Sequence, residues 1–380
     1  MMELLSTSPF DPAKEPKVVI IADWLPPDFG AVGQYMLMRA QALAEQGHDV
    51  TLIGLASAGS SMRSEARGRG RLTERRLAAS PVPRSSLPRR LLWTIWTDLR
   101  LVAAAFGSLR VADGILFTGS PPFLIHVLAP LRFLWRGKLV YRITDFHPEC
   151  LIAARDRPSW ALGLLLSLTN FWRRRIDGFE VLGLDQRRRL QQTGVPESRT
   201  TLVRDGSPVA FTGQEPIEAR PQSLAGAAVL LYSGNYGVAH EVDTVVEGYE
   251  RHHRQGSGRV RLWLSATGGG ADEVATRLSR RGLPFHKSAP VPLDRLAGLL
   301  LAPDAHLVAL KDAFVGYVMP SKIYACVASG RPVLFVGSAV SDVDLLARES
   351  RADYWHVVCG DAAGFATALE GIADRARPQS

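Results

Sequence analysis

Several short stretches of this chain hold residues whose types and spacing suit anion or proton chemistry. The most telling is VMPSKIYACVASGRPVLFV, Val318 to Val336. Pro320 suits the first turn of a helix, where its missing N–H would be unpaired anyway. Ser321 and Lys322 place a hydroxyl and a cation beside free backbone N–H groups. Gly330 stands where a helix end favours a left-handed residue. Such a helix start is an anion site, and phosphate is the usual anion. The plain alternative is a surface helix begun by a proline and carrying an ordinary lysine.

Three more stretches follow apolar runs that read as strands. DWLPPDFGAVGQY, Asp23 to Tyr35, has Gly30 and Gly33 where a backbone could approach a ligand closely; it also reads as a plain β–α turn. It is not GxGxxG, and no acid ends the next strand, so nicotinamide binding is disfavoured. In YRITDFHPE, Tyr141 to Glu149, Asp145, His147 and Glu149 alternate and are expected to share one face, though a histidine so placed can be purely structural. YSGNYGVAH, Tyr232 to His240, is a glycine-flanked turn whose N–H groups, with Gly234 and Asn235, would meet a phosphate. Asp342 and Asp344 resemble an Asp-x-Asp metal pair. More simply, Ser341 caps a helix whose first turn carries acids. No Walker A loop, HExxH or GxSxG is present.

To position these groups the chain needs strands ending at them, and its composition allows it. The 380 residues, 46% apolar and 22% charged, suit two globular domains. Cys150, Cys326 and Cys359 are widely spaced, which predicts reduced thiols in a cytosolic protein. The first residues lack the pattern of a signal peptide. Eleven arginines against three acids between Arg63 and Arg110 match the whole net charge of +8. Clustered cations imply an anionic partner: a membrane surface, a nucleic acid or a phosphorylated substrate. Nucleic acid is disfavoured, since no recognition motif accompanies the arginines.

No run reaches the about 20 apolar residues of a membrane span. WALGLLLSLTNFW, Trp160 to Trp172, is expected as a buried core helix, with an interfacial membrane helix as the alternative. Leu87 to Arg110 reads as a helix striped by Leu92, Ile95, Leu99, Val102 and Phe106. Trp93 and Trp96 lie among Arg89, Arg90 and Arg100, a membrane-facing set.

The first half alternates strands (Lys17–Asp23, DVTLIGL, Gly114–Thr118, Lys138–Ile143, Gly178–Gly183, Thr200–Arg204) with helical stretches. Ser60 to Arg76, rich in arginine and glycine, reads as a mobile loop. Alternation lapses in a proline-rich linker and resumes at Val229–Gly234, Val260–Ala266, Leu283–Ser288, Ala305–Leu310 and Pro332–Gly337. The expected fold is α/β, two Rossmann-like doubly wound domains facing a central cleft. Their spans are 1–207 and 228–380 with a linker at 208–227, and the last helix is allowed to return to the N-terminal domain.

In order, PP-x-x-G-x-x-G, the SGN-x-G turn and PSK-x-Y…A-x-GRP resemble a GT-B glycosyltransferase of family 4, most of all its bacterial surface polysaccharide and glycolipid branch. The resemblance covers nearly the whole chain. It implies retaining transfer of a sugar, of hexosyltransferase type, from a UDP- or GDP-type nucleotide diphosphate sugar. No cofactor and no metal would be required. The donor would bind the C-terminal domain, and a lipid-linked or glycan acceptor the N-terminal one. By position, Gly30, Gly33, Gly234, Asn235, Pro320, Ser321 and Lys322 would hold the donor, and His147 and Asp145 would stand near the reacting sugar. Two glutamates of the family fall here at Tyr317 and Ala325. An Arg/Lys pair falls at Asn235 and at His240 or Glu241. Lys322 is then the nearest matching cation, supported by Arg204 or Arg331. The expected setting is cytoplasmic, peripheral on the inner face of the plasma membrane. A GT-B epimerase and a degenerate nucleotide-binding partner of another transferase are the alternatives.

Overall fold

The computed structural model describes residues 10–376 apart from 12, 15, 29, 81–86, 156, 158 and 351. The reading of the extreme N-terminus lies outside the described residues. Two compact units, 1–205 and 206–380, make up the chain.

The first unit runs β1 (Lys17–Trp24), α1 (Ala31–Gln46), β2 (Asp49–Ala56), β3 (Ser61–Arg67), β4 (Gly70–Ala78), α2 (Leu87–Val111) and β5 (Gly114–Thr118). It continues with α3 (Ile125–Leu128), β6 (Lys138–Ile143), α4 (Glu149–Ala153), α5 (Trp160–Arg173), β7 (Gly178–Val181), α6 (Leu184–Gln192) and β8 (Thr200–Leu202). The sheet order is β3-β4-β2-β1-β5-β6-β7-β8. Every pair is parallel except β3 with β4. Runs such as VVII and ILF are apolar at consecutive positions because helices cover both faces of a parallel sheet. All five residues of β5 are buried.

Two expectations fail here. Ser60–Arg76 is an antiparallel hairpin, turned at Gly68 with φ 57° and pairing Arg63 with Glu74. Its edge strand β3 is half-buried at best, so polar residues fill both faces and no alternation marks it. Much of its arginine charge is bound locally: Arg67 pairs with Glu45 at 3.0 Å and Arg76 with Glu74 at 2.8 Å. The apolar run of α5 is not core. Trp160 is 83% and Leu164 65% exposed, while the helix buries Thr169 and Arg173. The α2 stripe faces outward apart from Val102, as a surface-facing set would, and the inner face includes Thr97, Leu101, Ala105 and Leu109.

The second unit runs β9 (Ala228–Asn235), α7 (Asp243–Gln255), β10 (Val260–Thr267), α8 (Gly269–Arg280), β11 (Phe285–Ser288) and α9 (Leu293–Leu301). Then come β12 (Ala305–Ala309), α10 (Lys322–Ala328), β13 (Val333–Val336), α11 (Asp342–Arg348), β14 (Tyr354–Val357) and α12 (Ala362–Arg375). Its sheet, β11-β10-β9-β12-β13-β14, is parallel throughout. Helix α12 stays in this unit, with Phe365, Leu369 and Ile372 in its core. Residues before β9 are packed on it too. Leu224 is buried, Val209 and Phe211 lie against the same apolar cluster, and Arg220 pairs with Asp304 at 3.0 Å. Gly330 ends α10 with φ 70°, as its sequence position predicts.

Under the first sheet lies a buried ionic cluster. Arg142 donates to Glu180 at 2.7 Å and to Asp205 at 2.5 Å, and Arg39 reaches Glu180 at 3.3 Å. The cluster ties β6, β7, α1 and the last residue of the unit together. Removing one member strands charges that have lost their water. Glu180→Ala should therefore lower stability by about 3–5 kcal/mol in urea denaturation; a loss under about 1 kcal/mol would contradict this account.

Candidate functional site

Ligands of open α/β sheets gather at strand C-terminal ends where the strand order reverses. In the first unit that place is the β1–β5 pair. Asp23, at the end of β1, accepts a hydrogen bond from Ser120 Oγ at 2.7 Å, just past β5. Its other oxygen, Oδ1, is buried without a partner. Burial pushes the carboxyl up to about 6, while the Ser120 bond holds it back. Asp145, two residues past β6, is also raised to about 6, first by burial and then by the charge of Asp23.

His147 belongs to the same loop. Burial lowers it to about 4, so its imidazole is neutral at pH 7, and its Nδ1 has no partner. Phe123 lies edge-on to it, ring centres 6.3 Å apart, with a left-handed backbone at φ 80°. Glu149 does not share this face: it is ion-paired with Arg173 (Nη2 to Oε2, 3.1 Å), which also donates to the His147 carbonyl at 3.2 Å. It thus fastens α5 to the loop. Gly33 is required by the protein's own backbone, because a Cβ there would stand 1.8 Å from the Trp24 carbonyl oxygen. Gly30 has ordinary room, 3.4 Å from the same atom.

In the second unit the reversal lies between β9 and β12, and the two expected anion segments meet there. Gly234, with φ 95° and open space beside it, turns β9 into Asn235. Lys322, the first residue of α10, reaches back to this turn. Its Nζ lies 3.2 Å from the centre of the Tyr232 ring and 3.5 Å from the Asn235 carbonyl. Among the described residues no carboxylate pairs with it. Burial lowers its pKa well below the usual lysine value. His240 packs edge-on to Tyr232 and Tyr236, and is held neutral by burial and then by Lys322 and Lys311. Ser321 makes no capping bond, and Pro320 lies just ahead of the helix, its carbonyl accepting from Ile323 N–H at 3.1 Å.

The other expected partners are elsewhere. Arg331 lies two residues before β13, at the opposite edge of the sheet, and donates to the Leu301 carbonyl at 2.6 Å. Arg204 lies two residues past β8 in the first unit. Glu241 caps α7, accepting from Thr244 N–H at 3.0 Å. Ala325 is buried in an apolar cluster with Trp263 and Leu299, where an acid would lose its water. Ser341 Oγ accepts from Asp344 N–H at 3.4 Å, and Asp344 binds Tyr354 and Arg348. Among the described residues no cluster of three metal-ligating side chains forms. Of the membrane-facing set, Arg89, Arg90 and Trp96 are exposed. Trp93 instead stacks on Trp24 at 6.5 Å, and Arg100 donates to the Ala78 carbonyl at 2.8 Å.

Asp23, Ser120 and Thr144 are the polar groups that reading the sequence passed over. An acid closing an apolar strand and an SPP turn closing another were the available signals.

No protein-family model matches the chain, and neither does any curated protein. Solved structures do. A trehalose-6-phosphate structure from E. coli bound with UDP-2-fluoro glucose aligns at 10% identity and TM-score 0.62, covering 95% of this chain and 92% of that one. An alpha,alpha-trehalose-phosphate synthase (UDP-forming) from Burkholderia vietnamiensis aligns at 11% and 0.63 over 95% and 92%. Anabaena Alr3699/HepE, in complex with UDP and glucose, aligns at 12% and 0.61 over 95% and 90%.

A buried carboxyl with a raised pKa has a stability signature. The folded state holds the Asp23 proton more tightly than the unfolded one, so stability is lost as pH rises from about 4 through about 6. Asp23→Asn should be nearly neutral near pH 4 and should stabilise by about 2–3 kcal/mol above pH 7. Urea denaturation at both pH values checks this; equal effects would contradict it.

Two α/β units, parallel but for one edge strand and matched along 95% of the chain by these structures, give this protein the GT-B fold.

Proposed function

We propose that the protein is a retaining glycosyltransferase moving a hexosyl unit from a nucleotide diphosphate sugar to a lipid-linked acceptor in glycolipid or surface polysaccharide synthesis. The observation that carries the donor half is the meeting of Lys322 with the Gly234–Asn235 turn at the strand reversal of the second unit. The leaving group is a nucleoside diphosphate, so catalysis must stabilise growing negative charge. A cation without a carboxylate partner, beside N–H groups of a glycine turn, suits that need without a metal. Pro320 and Ser321 frame the same helix start, and His147 and Asp145 stand on the acceptor side. UDP in two of the matched structures favours a uridine nucleotide.

The lipid half rests on the outer surface of the first unit. Helix α3 touches both α2 and α5. Leu92 (66%) and Trp96 (63%) on α2, with Trp160 and Leu164 on α5, turn apolar side chains to solvent. Arg89, Arg90, Arg174 and Arg175 lie exposed on the same helices or at their ends. Among the described residues no helix is long and apolar enough to cross a membrane. Tryptophans and arginines around an apolar helix face suit an anionic membrane surface, which supports a peripheral location on the inner face of the plasma membrane.

Lys322→Ala should weaken UDP-sugar binding about ten- to a hundredfold, the worth of one charged hydrogen bond. An unchanged affinity would remove Lys322 from the site. Burial disfavours the charged lysine and an anion favours it, so UDP binding should take up protons wherever the free lysine is partly neutral, and weaken as pH rises. Calorimetry in buffers of different ionisation enthalpy measures that uptake. Anionic vesicles should sediment the natural chain in a salt-sensitive way. A Trp160→Glu, Leu164→Glu double variant should stay in the supernatant; equal sedimentation would count against the membrane face.

A further inference from the structure

The second unit has an open cavity that the donor site does not use, at the edge of its sheet where the strands begin. It measures about 380 Å³ and lies between residues 217–220, the end of α9 and Arg331. Small-molecule sites run from about 300 to 1,000 Å³. Its wall is closely fixed. Glu218 N–H donates to the Gly298 carbonyl at 3.2 Å, and a Cβ on Gly298 would stand 2.1 Å from the Pro216 carbonyl oxygen. The strip of chain before β9 therefore lies directly on α9, and Ile217, Ala225 and Leu301 give the space beside it an apolar lining.

The charges around this cavity are answered, save one. A helix end leaves carbonyls without partners. At α9, Arg331 Nη2 takes the Leu301 carbonyl at 2.6 Å and Arg220 Nε takes that of Ala302 at 2.8 Å. Beyond this the two arginines differ. Arg220 is fully used, because Nη1 and Nη2 each donate to an Asp304 oxygen at 3.0 Å. Glu218, the acid of the cavity wall, is held by Arg295 at 2.7 and 2.6 Å. Among the described residues no carboxylate pairs with Arg331, and its Nε and Nη1 meet no protein acceptor. His306 beside it is kept neutral, first by burial. The cavity thus carries one uncompensated positive charge.

We infer that this cavity is a second ligand site, taking a small oxyanion with an apolar body: Arg331 Nε and Nη1 donate to its phosphate or carboxylate, and Ile217 and Leu301 cover the rest. The planar donors of a guanidinium match the oxygens of either group. The site is separate from the donor's. Lys322 opens α10 at the edge of the sheet where β9 turns, whereas Arg331 follows the far end of α10, just before β13. The inference goes beyond the transferase reading and uses none of that site's residues.

The test titrates phenyl phosphate and, in parallel, benzoate into the full chain at constant ionic strength. One of them should shift the Arg331 Nε–H signal in NMR, assigned by its loss in Arg331→Gln, and which one does so decides between a phosphoryl and a carboxylate head. Calorimetry with that probe should show at least tenfold weaker binding to Arg331→Gln, a change that still leaves a side-chain donor near the Leu301 carbonyl. Ala225→Phe, which fills the cavity and keeps the arginine, should weaken binding as much. Lys322→Ala should leave the midpoint of the Arg331 shift within twofold, since the strand reversal is not involved. No shift with either probe, or equal binding to the natural chain and Arg331→Gln, would overturn the inference. Unchanged binding to Ala225→Phe would overturn it too, by putting the anion outside the cavity.

Discussion

The constraint behind everything else is that a parallel strand must be re-entered from the same end. Each crossover returns the chain to the start of the next strand, so all C-terminal ends of a sheet share one edge. Asp23, Ser120, Asp145 and His147 meet at one such edge although they are far apart in sequence. Gly234, Asn235 and Lys322 meet at another for the same reason. Within each edge, the reversal of strand order opens the space that neighbouring crossovers would otherwise fill.

Desolvation then gives these groups their chemistry. The same burial raises two carboxyls, keeps His147 and His240 neutral and lowers Lys322. Elsewhere buried charges are paired in Arg142 with Glu180 and Asp205 and in Arg173 with Glu149, while Asp98 is buried with its Oδ1 unpartnered.

The apolar surface of the first unit follows a similar contrast. Helices α2 and α5 each turn apolar side chains both inward and outward, or in α5 mostly outward. An ordinary soluble helix would place leucine and tryptophan on its inner face. Here the inner face of α5 holds Thr169 and Arg173, committed to His126 and Glu149, so its apolar side chains are left at the surface.

Most strands were legible in the sequence, because four or five consecutive apolar residues have no comfortable place but a doubly covered sheet. KVVIIAD, GILFT and KLVYRI fell almost residue for residue on β1, β5 and β6. The hairpin of β3 and β4 was hidden, since a solvated edge needs no apolar alternation. Helix α5 was misread, since hydropathy gives the amount of apolar surface but not the direction it faces. Lys322, Gly234 and Asn235 were visible as chemistry from local rules of helix starts and glycine turns. Their meeting, the loss of Arg331 to the opposite edge, and the open oxygen of Asp23 were not visible. Those depend on which strands become neighbours and on what burial leaves unpaired, quantities that only the tertiary structure decides.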